Sequence, residues 1–325
     1  MVKFSIIIPV KEINDYVRET VPYVQALDLT SWELIILPNE LDRDEWCDDR
    51  IRIIRSGRVG PAKKRDLGAK YASGEILVFL DDDSYPNPRL LSVASPYFDD
   101  ENIVAIGGPA ITPANDSFWQ KVSGAVFLSK FSGGTPERYL SIGSSKEVDD
   151  WPSVNFMVRK KDFMKIGGFN SPYWPGEDTK LCLDLLNSTN KKIIYVPNLM
   201  VWHHRRAGLL GHLKQIGAYG IHRGYFARVY RKNSRKITYF APSAFLFFAV
   251  ISIFFSILPW QIQLLMSFGW ILYGLALLRA FFDIKRSEST PIALAAIPYI
   301  ILTHLWYGFR FIQGYLTPKL TSKLR

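Results

Sequence analysis

Gly74-Glu75-Ile76-Leu77-Val78-Phe79-Leu80-Asp81-Asp82-Asp83-Ser84-Tyr85-Pro86 is the stretch that decides how this chain folds. Its five consecutive apolar residues, Ile76 to Leu80, predict a strand buried on both faces, because a half-exposed strand alternates apolar with polar positions. Three carboxylates follow at once. Acids crowded at the end of a buried strand repel one another, so the run predicts a cation and its anionic ligand at that end, where open α/β sheets bind ligands. The bland alternative is an acidic Ser/Pro/Asn turn that merely caps the strand.

Working outward, the first hundred residues alternate strand with helix. Phe4 to Val10 reads as a strand, and Asn14 to Leu27 as a helix with Val17, Val21, Val24 and Leu27 at helical spacing. Trp32 to Leu37 and Ile51 to Arg55 read as further strands, and Gly60-Pro61 opens a helix that runs through Ala72. This order predicts an α/β fold with a doubly wound, mostly parallel, Rossmann-like sheet. Beyond Asp83 the pattern gives a helix at Pro88 to Phe98, strands at Ile103 to Ile106, Ser153 to Arg159 and Lys192 to Val196, and a helix from Gly176-Glu177-Asp178 to Leu186. Ala110 to Asp150 is poorly periodic and rich in Gly, Ser and Thr, and is expected to be a mobile loop over the site. Asp178 taken alone reads as an acid favoured in the first turn of a helix. Trp202-His203-His204-Arg205-Arg206 suits a diphosphate or a metal, or equally a polar patch under a membrane.

Several function classes are excluded by what is missing. No GxGxxG or GxxxxGK follows the first strand, which argues against a dinucleotide oxidoreductase and a P-loop NTPase. Pro9-Val10-Lys11-Glu12 contains no glycine, which weakens a nucleotidyltransferase. The net charge of +10 is not that of a nucleic-acid binder, since no accompanying motif is present. Nine of the Lys and Arg residues lie between His203 and Lys236 with no acid among them, directly before forty-two residues, Ile237 to Leu278, that carry no charge. That juxtaposition predicts contact with anionic membrane lipids, with 206–236 forming basic interface helices. The apolar region, 237–325, predicts spans near 239–258 and 262–281 and a third segment at 291–312 that spans or re-enters. The charged loop Asp283 to Arg286, with Lys319, Lys323 and Arg325 for a re-entrant ending, sets the orientation, and the absence of a cleavable leader keeps the first domain in the cytoplasm. Cys47 and Cys182 have no metal-ligand spacing and are expected to be ordinary thiols.

The motifs in order resemble the family 2 glycosyltransferases: Ser5 to Val10, Gly60 to Ala69, Gly74 to Pro86, Val154 to Lys160, Ile166-Gly167-Gly168-Phe169 and Gly176-Glu177-Asp178. The resemblance covers about residues 4–205, read as the transferase domain 1–205, and extends in kind to the membrane-attached prokaryotic branch that builds lipid-linked or exported saccharides. It implies a GT-A fold and a hexosyltransferase type of activity. A divalent metal (Mn2+ or Mg2+) would be held by Asp83 with Asp81, and a UDP- or GDP-sugar donor bound by Pro9, Val10, Glu12, Asn39, Arg65, Asp81 and Asp82. Asp178 matches the catalytic base of an inverting reaction, with Glu177 orienting the acceptor; Asn155 and Trp151 fall on the acceptor side, and His203 or Arg205 would steady the diphosphate. Where the family commonly carries an acid after the second strand, this chain has Asn39. The QxxRW motif of processive members is replaced by Gln215-Ile216-Gly217-Ala218-Tyr219, which implies one sugar per encounter onto a lipid-linked or saccharide acceptor. Direct transfer to polyprenyl phosphate, a degenerate membrane-bound binding protein and a membrane nucleotidyltransferase remain as alternatives.

Overall fold

The computed structural model describes residues 3–41 and 46–321; Lys323 and Arg325 lie outside the described residues. Two compact units result, one of residues 3–113 and 140–204, the other of residues 114–139 and 205–320.

The first unit contains β1 (Phe4–Pro9), α1 (Asp15–Gln25), β2 (Trp32–Leu37), β3 (Ile51–Ile53), α2 (Pro61–Tyr71), β4 (Ile76–Leu80), β5 (Ser84–Pro86), α3 (Leu90–Ala94), β6 (Ile103–Gly107) and β7 (Ala110–Ile111). After residues 114–139, which carry α4 (Phe118–Ala125), it resumes with β8 (Lys146–Val148), β9 (Asn155–Arg159), α5 (Lys160–Lys165), α6 (Glu177–Thr189), β10 (Lys192–Tyr195) and β11 (Val201–His203). Eight strands form one sheet in the order β3-β2-β1-β4-β9-β6-β10-β8. β1, β2, β3 and β4 pair in parallel, as do β6 and β10, whereas β9 runs antiparallel between β4 and β6. Both faces of this sheet are covered, as the apolar runs require. Ile6 and Ile8 of β1 pack with Val17, Val21 and Val24 of α1, while Ile7 turns to the opposite core with Ala69 of α2 and Leu181 and Leu185 of α6. A second sheet, β5-β11-β7, consists of strands two or three residues long. Its strands are too short to leave a periodic signal in the sequence.

The second unit contains α4 together with α7 (Leu209–Val229), α8 (Arg231–Ser234), α9 (Ile237–Ser252), α10 (Trp260–Lys285) and α11 (Thr290–Leu316). Residues 114–139, read from the sequence as a loop over the site, therefore belong with the C-terminal helices. Burial explains it: His212 of α7 lies 2.9 Å from Ser123 Oγ of α4 through Nδ1 and 2.8 Å from Thr303 Oγ1 of α11 through Nε2, and all three side chains are buried. α7 and α11 approach closely because glycines face them. A methyl group at Gly224 would meet the Phe311 carbonyl oxygen at 2.0 Å, and one at Gly314 the Ile221 carbonyl oxygen at 1.9 Å.

α10 and α11, of 26 and 27 residues, are long and apolar enough to cross a membrane. α11 is continuous through Pro298 and does not turn back. The segment expected at 239–258 is shorter: α9 ends at Ser252 after 16 residues, about 24 Å at the helical rise, and the chain tightens into a 3-10 turn before the extended Leu258 that precedes Pro259.

Burial pushes the His212 imidazole down to about 4, from the usual 6.5. A depressed pKa means the unfolded chain binds the proton more tightly, so the stability His212 contributes is complete above pH 6.5 and is lost as pH falls towards 4. Thermal unfolding of the wild type is expected to decline across this window by the equivalent of on the order of 3 kcal/mol more than that of His212→Gln. Parallel pH profiles of the two proteins would count against it.

Candidate active site

The buried strand β4 delivers Asp81 to the sheet's edge, and the chain turns there. Ser84 donates both its backbone N–H and its hydroxyl to the Asp81 carbonyl, at 3.2 and 2.9 Å. The turn sends Asp82 and Asp83 to opposite sides. Asp82 accepts from Asn14 Nδ2 at 3.0 Å, and burial, reinforced by the carboxylates of Asp83 and Asp81, pushes it up to about 6. Asp83 faces β11, where His203 pairs with Ser84 of β5, and His203 Nε2 lies 3.0 Å from Asp83 Oδ1. One ligand atom each of Asp81, Asp83 and His203 lie within 4.8 Å of one another. Two carboxylates and an imidazole form a donor set suited to a divalent cation such as Mn2+, which takes oxygen ligands readily and tolerates nitrogen. His203, read from the sequence as a diphosphate contact, thus joins Asp81 and Asp83.

The second feature is Arg65, on the inner face of α2. Its guanidinium is buried, donates to Asp81 Oδ1 at 2.5 Å and to Glu177 Oε1 at 3.0 Å, and lies over the Phe169 ring at 5.4 Å. Phe169 is held there because Asp66, one position after Arg65 on α2, accepts its backbone N–H at 2.8 Å. The two motifs around Gly60 to Ala69 and Gly167 to Phe169 therefore build one object. Glu177 is buried, and burial together with the adjacent Asp178 carboxylate pushes its pKa up, against the pull of Arg65. Its Oε1 faces Arg65. Asp178, the next residue of α6, is only partly buried, and its Oδ1 accepts the Thr179 backbone N–H at 2.8 Å.

Sequence reading passed over Lys64. This buried lysine donates to the carbonyls of Val10 (2.5 Å) and Leu37 (3.2 Å) and to Asn39 Oδ1 (2.7 Å), tying together the ends of β1 and β2. Burial lowers its pKa to about 8. The Val10 N–H also donates to the Leu37 carbonyl, and the Asn39 N–H to the Lys11 carbonyl. Pro9, Val10, Asn39, Arg65, Asp81 and Asp82 therefore gather around the ends of the neighbouring strands β2, β1 and β4; Glu12 is exposed beside them. Because a lysine only donates, Asn39 must turn its oxygen to Lys64, which leaves its amide nitrogen as the polar end for a ligand.

Two residues expected on the acceptor side are buried, Asn155 of β9 being paired with Leu80, directly before Asp81. Trp151 is in the core, its indole N–H donating to the Gly108 carbonyl at 3.1 Å and its ring stacked on Tyr195. Asn155 is fully buried and donates to the carbonyls of Leu199 (2.6 Å) and Pro109 (3.2 Å). Both side chains donate to backbone carbonyls. Arg205 belongs to the second unit, where its N–H donates to Asp116 Oδ2 at 3.2 Å and its guanidinium lies over Tyr139.

Known proteins resemble the chain over part of its length in sequence. It is 25% identical over 225 residues to O-antigen biosynthesis protein RfbC of Myxococcus xanthus, covering 63% of this chain and 17% of that one. It is 23% identical over 203 residues to glucosyl-dolichyl phosphate glucuronosyltransferase of Haloferax volcanii, covering 57% and 63%. Thus it spans less than two thirds of the length of either relative. Among solved structures, the mannosyltransferase PcManGT of Pyrobaculum calidifontis, in complex with GDP-Man and Mn2+, superposes with a TM-score of 0.55 at 16% identity over 98% of this chain and 88% of that one. That likeness shows the GT-A fold. The family described as Glycosyl transferase family 2 matches residues 5–167, half of the chain and all the elements that carry Arg65, Asp81 and Asp83, and the chain therefore belongs to this family.

Proposed function

We propose that this glycosyltransferase moves one sugar at a time from a UDP- or GDP-sugar to a lipid-linked acceptor, with inversion and with a divalent metal, at the cytoplasmic face of a membrane. The observation that carries the reading is Arg65, which joins Asp81, at the cation end of the site, to Glu177 beside Asp178. One buried guanidinium thus fixes the spacing between the group that would meet the donor diphosphate and the group that would meet the acceptor. Bound to Asp81, Asp83 and His203, a divalent cation would neutralise the charge that grows on the departing diphosphate.

The remaining chemistry falls to the chain. Lys64 holds the β1 and β2 ends as a wall for the nucleoside, with the Asn39 amide offered to the base. Asp178, the carboxylate nearer solvent, takes the proton of the acceptor hydroxyl as its oxygen forms a bond to the anomeric carbon. The bond to the diphosphate breaks on the opposite face, and this single displacement inverts the centre. Membrane attachment is favoured by α10, of whose 26 residues only Met266, Ala280 and Ile284 are buried, and by the nine cations without an acid between His203 and Lys236. If α9 crosses with α10 as a hairpin, the basic loop at Lys285-Arg286 lies on the same side as the transferase unit, and the positive-inside rule favours the cytoplasmic side for both.

The test is donor turnover by the full chain in detergent, across UDP- and GDP-sugars with Mn2+, Mg2+ or EDTA, using a polyprenyl-linked saccharide acceptor. One sugar nucleotide is expected to be consumed only with metal, giving a single-sugar extension of inverted anomeric configuration by NMR. A retained configuration or full activity in EDTA overturns the reading. A lipid monophosphosugar made from polyprenyl phosphate alone would identify direct transfer, and pyrophosphate released from a nucleoside triphosphate would identify a nucleotidyltransferase.

A further inference from the structure

We propose that Glu19 and His204 form a clamp that holds the pair Asp83–His203 in register, which makes Glu19 a positioning residue of the cation site; this rests on the metal-dependent reading above. The need for a clamp follows from the small sheet. β5 and β11 are three residues each, and the sheet they form with the two-residue β7 is small enough to gain from support outside it. Yet the pairing must be accurate, because it sets His203 beside Asp83: His203 pairs with Ser84, and the ladder continues as the His204 N–H donates to the Asp83 carbonyl at 2.9 Å.

Support comes from two adjacent residues of α1. Thr20 Oγ1 donates to the Ser84 carbonyl at 2.8 Å, which fixes the β5 side. Glu19 Oε2 lies 3.0 Å from His204 Nε2, which fixes the β11 side. His204 turns towards Glu19 and Tyr16 of α1, while His203 Nε2 meets Asp83 Oδ1. The His204 ring is buried, stacked on Tyr16 at 4.7 Å and tilted against Tyr85 at 5.7 Å. A buried imidazole needs a polar partner, and Glu19 meets that need at the one place where it also locks the strand. α1 is itself tied to the acidic turn, because Asn14 caps the helix by accepting the Val17 N–H and donates to Asp82. The helix thus grips the Asp82–Ser84 segment and His204 without supplying a ligand.

The test measures Mn2+ affinity without substrate, from the free-ion EPR signal, on the full chain in detergent. Glu19→Ala is expected to bind about 10-fold more weakly, the size of effect seen for outer partners of metal ligands. Glu19→Gln should restore binding, since its amide oxygen still accepts from the ring N–H. His204→Phe, which retains the stacked ring and loses the nitrogen, should match Glu19→Ala and serves if that variant does not fold. At saturating Mn2+ the kcat of Glu19→Ala should approach that of the wild type while the KM for Mn2+ stays raised. Wild-type affinity in Glu19→Ala, or no rescue by Glu19→Gln, overturns the clamp. A wild type that binds no Mn2+ instead overturns the metal-dependent reading beneath it.

Discussion

Asp178→Asn is expected to slow transfer by about 10²- to 10⁴-fold while leaving donor affinity unchanged, the loss typical of removing a general base. The substitution is close to isosteric. An asparagine oxygen can still accept the Thr179 N–H that Asp178 Oδ1 accepts at 2.8 Å, so the first turn of α6 keeps its geometry and only the capacity to take a proton disappears. Glu177 cannot substitute for it, being buried and engaged by Arg65 at 3.0 Å. Single-turnover transfer together with calorimetric titration of the donor separates the two quantities. Should Asp178→Asn transfer at the wild-type rate while Glu177→Gln is inactive, the base is Glu177 and the assignment must be reversed.

The second large effect is on stability. Arg65→Met should cost about 3–5 kcal/mol, the usual loss when one partner of a buried ion pair is removed and the other is left unpaired. Most of that comes from Glu177, whose side chain is 6% exposed, since Asp81 at 32% can be rehydrated. Arg65→Lys should recover little, because one ammonium can neither bridge two carboxylates in the manner of a planar fork nor lie flat over Phe169. Adding Glu177→Gln to Arg65→Met removes the stranded charge and should restore part of the loss. Urea unfolding of the wild type, Arg65→Met, Glu177→Gln and the double variant closes the cycle; a change below about 1 kcal/mol in Arg65→Met, the scale of an exposed pair, would deny the guanidinium its central place.

What the sequence made legible was whatever repeats or runs. The five apolar residues before Asp81 announced a central strand, and the spacing of Val17, Val21 and Val24 announced the helix that covers it. The acidic run and Glu177-Asp178 stood out as the stretches that Arg65 proves to join. Illegible were the contacts that join distant stretches through very short elements. β5 and β11 leave no periodic trace, so nothing in the chain says that His203 meets Asp83. Lys64 and Arg65 look like two exposed cations of a basic helix; only the small residues Ala62, Gly68 and Ala69 around them hint that this face is buried. The burial of Asn155 and Trp151 was hidden for the converse reason. Polar and aromatic residues beside a catalytic motif invite a contact with substrate, but here backbone carbonyls of Gly108, Pro109 and Leu199 needed donors.

The interleaving of the two units bears on the order in which the chain can assemble. Ser123 is synthesised 89 residues ahead of His212, and His212 is 91 ahead of Thr303. On a ribosome α4 therefore emerges long before either helix that buries it, and must wait, unsheltered, until nearly the whole chain has been made. A gene truncated after His204 would leave it in that condition permanently, with Val122, Ala125 and Val126 facing water. Soluble expression of the catalytic half should accordingly demand more than a stop codon: replacing 114–139 with a short polar bridge removes the orphaned helix along with the partners it would otherwise seek in other molecules.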